Sequence, residues 1–331
     1  MKVCIHRGSE QIGGSCIEVE SQGQRLLIDC GLPLDATGNP RQHLPASLRL
    51  DGPPIAAVVI SHGHLDHYGL LAGLGGDIPV AMGAAGRRIL AAAAPFMGRW
   101  RNKAVPAGWD LCARKPMRVG PFTVTPYQVD HSAYDAYALL IEADGRRLFY
   151  SGDFRMHGRK ARVMEALMSR PPKDIDALLV EGSSFGRMEP AGAFPSEQDI
   201  EGQMLDAFQR TPGMALVHVS AQNIDRVVSI FRASKRSGRT LVIDLYAAAI
   251  FAATDNQHIP QSHWNEVALF IPQRQRERIK NRKLFDLLHA HDAHRIYPQH
   301  LKRDPGRYTL LFRSLHMNKL IHRRVTIGQG C

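Results

Sequence analysis

An α/β chain of two domains is what this sequence predicts, and three observations carry the prediction. Apolar runs such as residues 55–61 (IAAVVIS) end abruptly in polar loops, the pattern of strands buried on both faces. Helical stretches alternate with these runs. Past residue 185 a Gly/Pro-rich stretch, 186–195, interrupts the pattern, and a new succession of helices and strands begins. The chain of 331 residues is long enough for two cores, and its 44% hydrophobic share excludes wholesale disorder.

In chain order, residues 24–29 (QRLLID) read as a strand that ends in an acid. The 55–61 run reads as a second strand, and residues 86–94 as a helix. Residues 122–129 (FTVTPYQV) alternate as a strand should, with Pro126 marking an edge or a bulge because it brings no ladder donor. Residues 138–142 and 147–151 flank Asp144-Gly145, a pair suited to the positive-φ positions of a tight hairpin turn. Residues 176–181 (DALLVE) read as another buried strand. Beyond the interruption, Ser196 precedes a helix over 197–209, with Glu197 and Asp199 in its first turn favouring the helix dipole. A strand over 215–219, a helix over 223–235 and a strand over 240–245 complete a β-α-β succession, the mark of a parallel sheet. The expected domains are residues 1–190 and 191–331.

Charge and cysteine usage narrow the function classes. The net charge is +11, and from Ile271 onward fourteen basic residues face four acidic ones, so nearly all the excess lies there. A localised basic region attracts polyanions such as nucleic acid, while a solvated helix face is its plainer explanation, and charge alone does not identify the ligand. Five cysteines, Cys4, Cys16, Cys30, Cys112 and Cys331, include no C-x-x-C pair, which fits a reducing, cytoplasmic compartment. The first twelve residues carry no apolar run of a signal peptide. The most apolar stretch, 81–97, is broken by Arg87, Arg88 and Pro95, so no membrane association is expected.

The chemistry concentrates in Ser61-His62-Gly63-His64-Leu65-Asp66-His67, directly after the second strand. On a helix His62 and His64 would point apart; on a loop they can converge. Neutral imidazoles are common zinc ligands and a carboxylate supplies a harder oxygen, so His62 and His64 can hold one ion while Asp66 and His67 reach another. In the second half, Ser220, Gln222, Asn223 and Arg226 fall where a strand meets a helix N-terminus. That geometry binds phosphate, as in an RNA backbone, or simply caps the helix. His289, His291, His294 and His300 lie in a basic, polar stretch and read as surface or RNA-contact residues, and His218 as a structural or groove-facing one.

The HGHLDH string resembles the metallo-β-lactamase superfamily, and so, in order, do Asp29 in LLIDCG, His131 in VDHSAYDA and Asp153 in YSGDFR. Within it, HRGSEQIGGSCIEVE, LLVEGSSFG with Glu181, and VHVSAQNIDRVVSIF resemble the β-CASP ribonucleases, over roughly residues 3–245. The resemblance implies a metallo-β-lactamase αββα sandwich followed by a partial β-CASP-like α/β domain. It implies two zinc ions, with manganese as the alternative. His131 joins His62 and His64 on one ion, Asp153 bridges both, and Asp29 orients the ligands by hydrogen bonds. The implied reaction is RNA phosphodiester cleavage by a two-metal-activated hydroxide, with Asp66 and Glu181 as catalytic carboxylates. Single-stranded DNA and a second copy of the chain are further partners under this reading. The family's Ser-x-His-Ala and His-Gly-Glu strings do not occur here, and nothing around His316 or His322 resembles them. A truncated or frameshifted chain and a divergent short form both fit that departure. Two alternatives remain at this stage: a small-substrate thioester or lactone hydrolase of the same fold, and an RNA-binding protein with an incomplete, inactive site.

Overall fold

The computed structural model describes residues 1–75, 77–98, 105–183 and 194–312, and the chain divides into two units, Met1–Ser196 and Glu197–Cys331. The 186–193 part of the expected linker, together with Arg313, His316, Lys319, His322, Arg323, Arg324 and Cys331, lies outside the described residues.

The first unit holds two sheets. One has six strands in the order β1 (Lys2–Arg7), β2 (Cys16–Ser21), β3 (Gln24–Cys30), β4 (Ile55–Val59), β5 (Val80–Gly83) and β6 (Asp110–Leu111). The other has five, ordered β11-β10-β9-β8-β7, from β7 (Met117–Val119), β8 (Phe122–Gln128), β9 (Tyr137–Ala143), β10 (Arg146–Tyr150) and β11 (Ala177–Leu179). Inward side chains of both, among them Ile28, Val59, Phe122, Leu139 and Leu148, form one buried cluster, so the sheets pack face to face. The opposite face of the first sheet buries Leu27, Val58 and Ile60 against Leu70 and Leu74 of α2 (Leu71–Leu74) and its approach, and against Leu90 of α3 (Ala84–Ala93). The opposite face of the second buries Val129, Ala136 and Ala138 against Met164 and Leu167 of α4 (Ala161–Ser169). The result is an αββα sandwich. A strand between two apolar layers cannot alternate, which is why β3 is buried continuously from Arg25 to Cys30.

Local chemistry accounts for the strand ends. Asp144 and Gly145 both take positive φ, 52° and 67°, and turn β9 into antiparallel β10. Pro126 pairs with Leu139 beyond the reach of β7, which goes only as far as Val124, and its carbonyl accepts the Arg114 amide at 2.7 Å, so no further strand calls on the N–H that proline lacks. The expected buried strand over 176–181 is corrected. β11 is shorter and, among the described residues, lies at the sheet edge, paired only with β10, and Leu178 and Val180 are 61% and 60% exposed. An apolar run shows strand propensity but not how many neighbours the strand has.

The second unit is a five-stranded, all-parallel sheet ordered β12 (Ala215–His218), β16 (Tyr308–Phe312), β13 (Thr240–Ile243), β14 (Val267–Phe270) and β15 (Arg295–Ile296). The helices are α5 (Glu197–Arg210), α6 (Ile224–Arg236), α7 (Leu245–Ala253), α8 (Gln273–Arg282), α9 (Phe285–His289) and α10 (Pro298–Arg303). The expected strand over 240–245 stops at Ile243, because Asp244 caps α7 by accepting the Ala247 amide. No helix among the described residues is long and apolar enough to cross a membrane.

Candidate metal centre

Four strand ends of the first unit carry the donor groups. Asp29 terminates β3 at φ 57° and is fully buried. Its Oδ1 accepts the Ser61 amide at 2.7 Å, and its Oδ2 accepts the Ser61 hydroxyl at 2.8 Å and the Tyr150 phenol and His67 Nδ1 at 2.7 Å each. A buried carboxylate with four donors is a rigid anchor. It draws β4 out of its ladder at Ser61 and turns the ring of His67, in α1 (Leu65–Tyr68), so that Nε2 points away from it. The chain after β3 lies so close to this segment that a Cβ on Gly31 would overlap the Asp66 carbonyl.

Around that anchor the imidazoles meet. His62 Nε2 and His64 Nδ1 lie 3.2 Å apart, and His131 Nε2, beyond the end of β8, lies 3.2 Å from the same His64 nitrogen. His62, His67 and Asp153 form a second group, with His67 Nε2 3.4 Å from Asp153 Oδ2, beyond the end of β10. Each group keeps its donor atoms within 4.8 Å of one another. Asp66 belongs to neither, its Oδ2 lying 3.9 Å from His67 Nε2.

The electrostatics divide the rings. Burial, reinforced by the neighbouring imidazoles His67, His131 and His64, pushes His62 well below the ordinary histidine range. Burial lowers His64 against the opposing pull of Asp66. Burial and His64 bring His131 down to about 3. All three are therefore neutral, with lone pairs to offer. His67 behaves oppositely: burial works to lower it, but the Asp29 carboxylate and hydrogen bonds to Asp153 and Asp29 raise it to about 10. Burial works to raise Asp153, and the His67 hydrogen bond and charge overcome it, leaving the carboxyl below its ordinary range. A cation facing His67 Nε2 therefore competes with a proton.

This donor set fits a metal ion. Nitrogens held 2.0–2.1 Å from a tetrahedral ion lie roughly 3.3 Å from one another. The two 3.2 Å separations match that spacing. Neutral rings this close repel through their lone pairs unless a proton or cation lies between them, and a cation can take all three.

The remaining predicted residues are placed as follows. Glu181 accepts the Phe154 amide at 2.9 Å and the Ser183 hydroxyl, while its own amide donates to Ser151 Oγ at 3.0 Å. Its carboxylate thus braces the loop that carries Asp153. In the second unit Asn223 caps α6 by accepting the Arg226 amide, and Ser220 Oγ accepts the Gln222 amide. Gln222 donates to the Tyr246 hydroxyl, and Arg226 Nε lies 3.1–3.2 Å from both oxygens of buried Glu197. Of the two readings of this junction, capping is the one these contacts display. His291 bonds the Ser262 hydroxyl, His294 the His263 carbonyl, and His300 Nδ1 accepts the Tyr297 amide. His218 is exposed beside Phe312, and neither it nor His289 falls in a metal-competent group among the described residues. Sequence reasoning gave no role to Ser61 or Tyr150, although both lie within strings it singled out, residues 61–67 and YSGDFR.

Comparison with known proteins agrees with this architecture. The family described as "Beta-lactamase superfamily domain" matches residues 24–220. Ribonuclease J of Mycobacterium tuberculosis is 28% identical over 254 residues, covering 72% of this chain and 43% of that protein. Transcription termination factor FttA of Methanothermobacter thermautotrophicus is 27% identical over 263 residues, covering 72% and 40%. The chain thus spans less than half the length of either curated relative. A solved structure of a protein of unknown function from Enterococcus faecalis V583 superposes with a TM-score of 0.72 at 22% identity, covering 94% of this chain and 76% of that one, a likeness of fold.

Proposed function

The chain belongs to the beta-lactamase superfamily, and we propose that within it this protein is a metal-dependent nuclease of the ribonuclease J type that cleaves RNA phosphodiester bonds. The observation that carries the reading is the convergence of neutral His62, His64 and His131 beside His67 and Asp153. Two zinc ions, or manganese, are the proposed occupants. His62, His64 and His131 hold one, and His67, Asp153 and Asp66 the other. Bound zinc supplies Lewis acidity toward a phosphoryl oxygen and makes a water-derived nucleophile available near neutral pH.

The chain's own residues supply the rest. Asp29 keeps Nε2 of His67 turned toward Asp153. The Asp153 carboxylate faces the ring it would share an ion with, and Asp66, 3.9 Å from His67, offers an oxygen that can orient the nucleophile or take its proton. Glu181, engaged with the Phe154 amide, acts by positioning the Asp153 loop. The second unit is the β-CASP-like part of the reading, its basic stretch from Ile271 drawing in the RNA backbone without reading sequence. The protein acts in the cytoplasm.

The test is cleavage of end-labelled single-stranded RNA with zinc or manganese supplied. Wild-type protein cuts, and His64→Ala lowers the rate by at least about a hundred-fold. RNA that is bound but left intact by the metal-loaded wild type would refute the nuclease reading and support a binding role. Cleavage of single-stranded DNA alone would move the substrate to DNA.

A further inference from the structure

Two loops of the candidate centre carry ligands from opposite sides: His131 follows β8 and Asp153 follows β10. Between them sits Asp130, fully buried and absent from the proposed chemistry. Its Oδ2 accepts the Gly158 amide at 2.7 Å, its Oδ1 accepts Arg155 Nε at 3.2 Å, and its backbone carbonyl accepts the Arg155 amide at 2.7 Å. Arg155 is itself largely buried in this ion pair, its side chain 13% exposed. Gly158 fits the arrangement because it lacks a side chain: a Cβ there would collide with Asp130 Oδ1 and Arg155 Nε. Lys160 adds a second tie by donating to the Tyr134 carbonyl at 2.7 Å and the Ala133 carbonyl at 3.3 Å. The 155–160 segment is thereby bound to the 130–134 segment at every polar group named here.

We infer that Asp130 is a positioning residue that sets the distance between the His62/His64/His131 donor set and the His62/His67/Asp153 donor set, and so couples occupancy of the second to that of the first. The inference rests on the proposed two-ion reading. Its physical basis is that Asp153 meets His67 Nε2 at 3.4 Å from a loop that Glu181 braces at Phe154 and that the Asp130 carboxylate holds at Arg155 and Gly158. His62 and His64 stand on one short segment anchored by Asp29, and the β8–β9 turn that carries His131 is held without the Asp130 carboxylate, by the Val129 amide on the Ala136 carbonyl and the Tyr137 amide on the Ser61 carbonyl, each at 3.0 Å. Loss of the Asp130 carboxylate therefore acts unequally on the two sets. Asn at this position keeps the size but replaces one acceptor oxygen with an NH2 that opposes either the Arg155 or the Gly158 donor.

The test is calorimetric titration of zinc into metal-stripped full-length protein, with bound metal counted separately by mass spectrometry. Wild type takes two ions. Asp130→Asn should weaken the second ion by about 10–100-fold, the usual effect of losing a group that orients a ligand, and change the first by less than about three-fold. Gly158→Ala, which disturbs the same carboxylate while leaving it in place, should shift the second ion in the same direction by less. Val119→Ala, a core change on β7 remote from both loops, should lower the melting temperature and leave both affinities unchanged. Two unchanged affinities in both Asp130→Asn and Gly158→Ala, or an equal loss at both ions, would overturn the inference alone. A wild-type chain that takes up no ion would overturn the metal reading with it.

Discussion

The two units apply one sequence device to different ends. Each places polar side chains directly after a strand. In the first unit these groups come from four distant segments and aim their donor atoms at one another, as the 3.2 Å spacings of His62, His64 and His131 display. In the second unit the groups after β12 come from one short segment and are taken up by separate partners: Asn223 caps α6, Gln222 donates to Tyr246 of α7, and Arg226 meets buried Glu197 of α5. The difference teaches that a polar cluster becomes a ligand site when tertiary structure holds its lone pairs together. A cluster whose groups are engaged one by one, by a helix cap or by side chains of neighbouring helices, is used up structurally.

Substitutions can break that contrast. The largest effect is expected from His62→Ala, which removes the donor common to both groups. Retained zinc, measured by inductively coupled plasma mass spectrometry after dialysis, should fall to background, and retention of either ion at the wild-type ratio would show that the groups do not depend on the shared ring. Next comes Asp29→Ala. It strands the His67 ring, the Tyr150 phenol and the Ser61 donors in the interior, so urea unfolding should register a loss of about 3–5 kcal/mol. A loss below about 1 kcal/mol would mean that this carboxylate is not the anchor described.

In the second unit, Arg226→Ala should lower stability by about 1–3 kcal/mol by leaving Glu197 buried without this partner, with RNA affinity changing less than about two-fold. A ten-fold loss of RNA affinity at unchanged stability would support the phosphate-binding reading of this junction. The smallest effect belongs to Asn223→Ala. Loss of the α6 cap should cost about 1 kcal/mol in thermal unfolding, and no change would remove the cap from the account.

Legibility in the sequence followed the same line. The HGHLDH cluster could be read because its donors are contiguous. Asp29, His131 and Asp153 could be read only as an ordered set, since an isolated acid or histidine at a strand end has no distinguishing chemistry. Tyr150, Asp130 and Gly158 were not legible, because their importance lies in which atoms they meet across more than twenty residues of chain. The fold showed the same limits. Alternation and the Asp144-Gly145 turn gave β8 to β10, but α7 (LYAAAIFAA) is apolar on every side and carries no helical period to detect. The exposure of β11 was hidden because the number of neighbours a strand has is a property of topology.

The most direct examination is X-ray diffraction from zinc-grown crystals at the zinc absorption edge. Two anomalous peaks are predicted, one amid His62, His64 and His131 and the other beside His67 and Asp153. A map without density at either position, with His131 and Asp153 turned away from His62, would contradict the account.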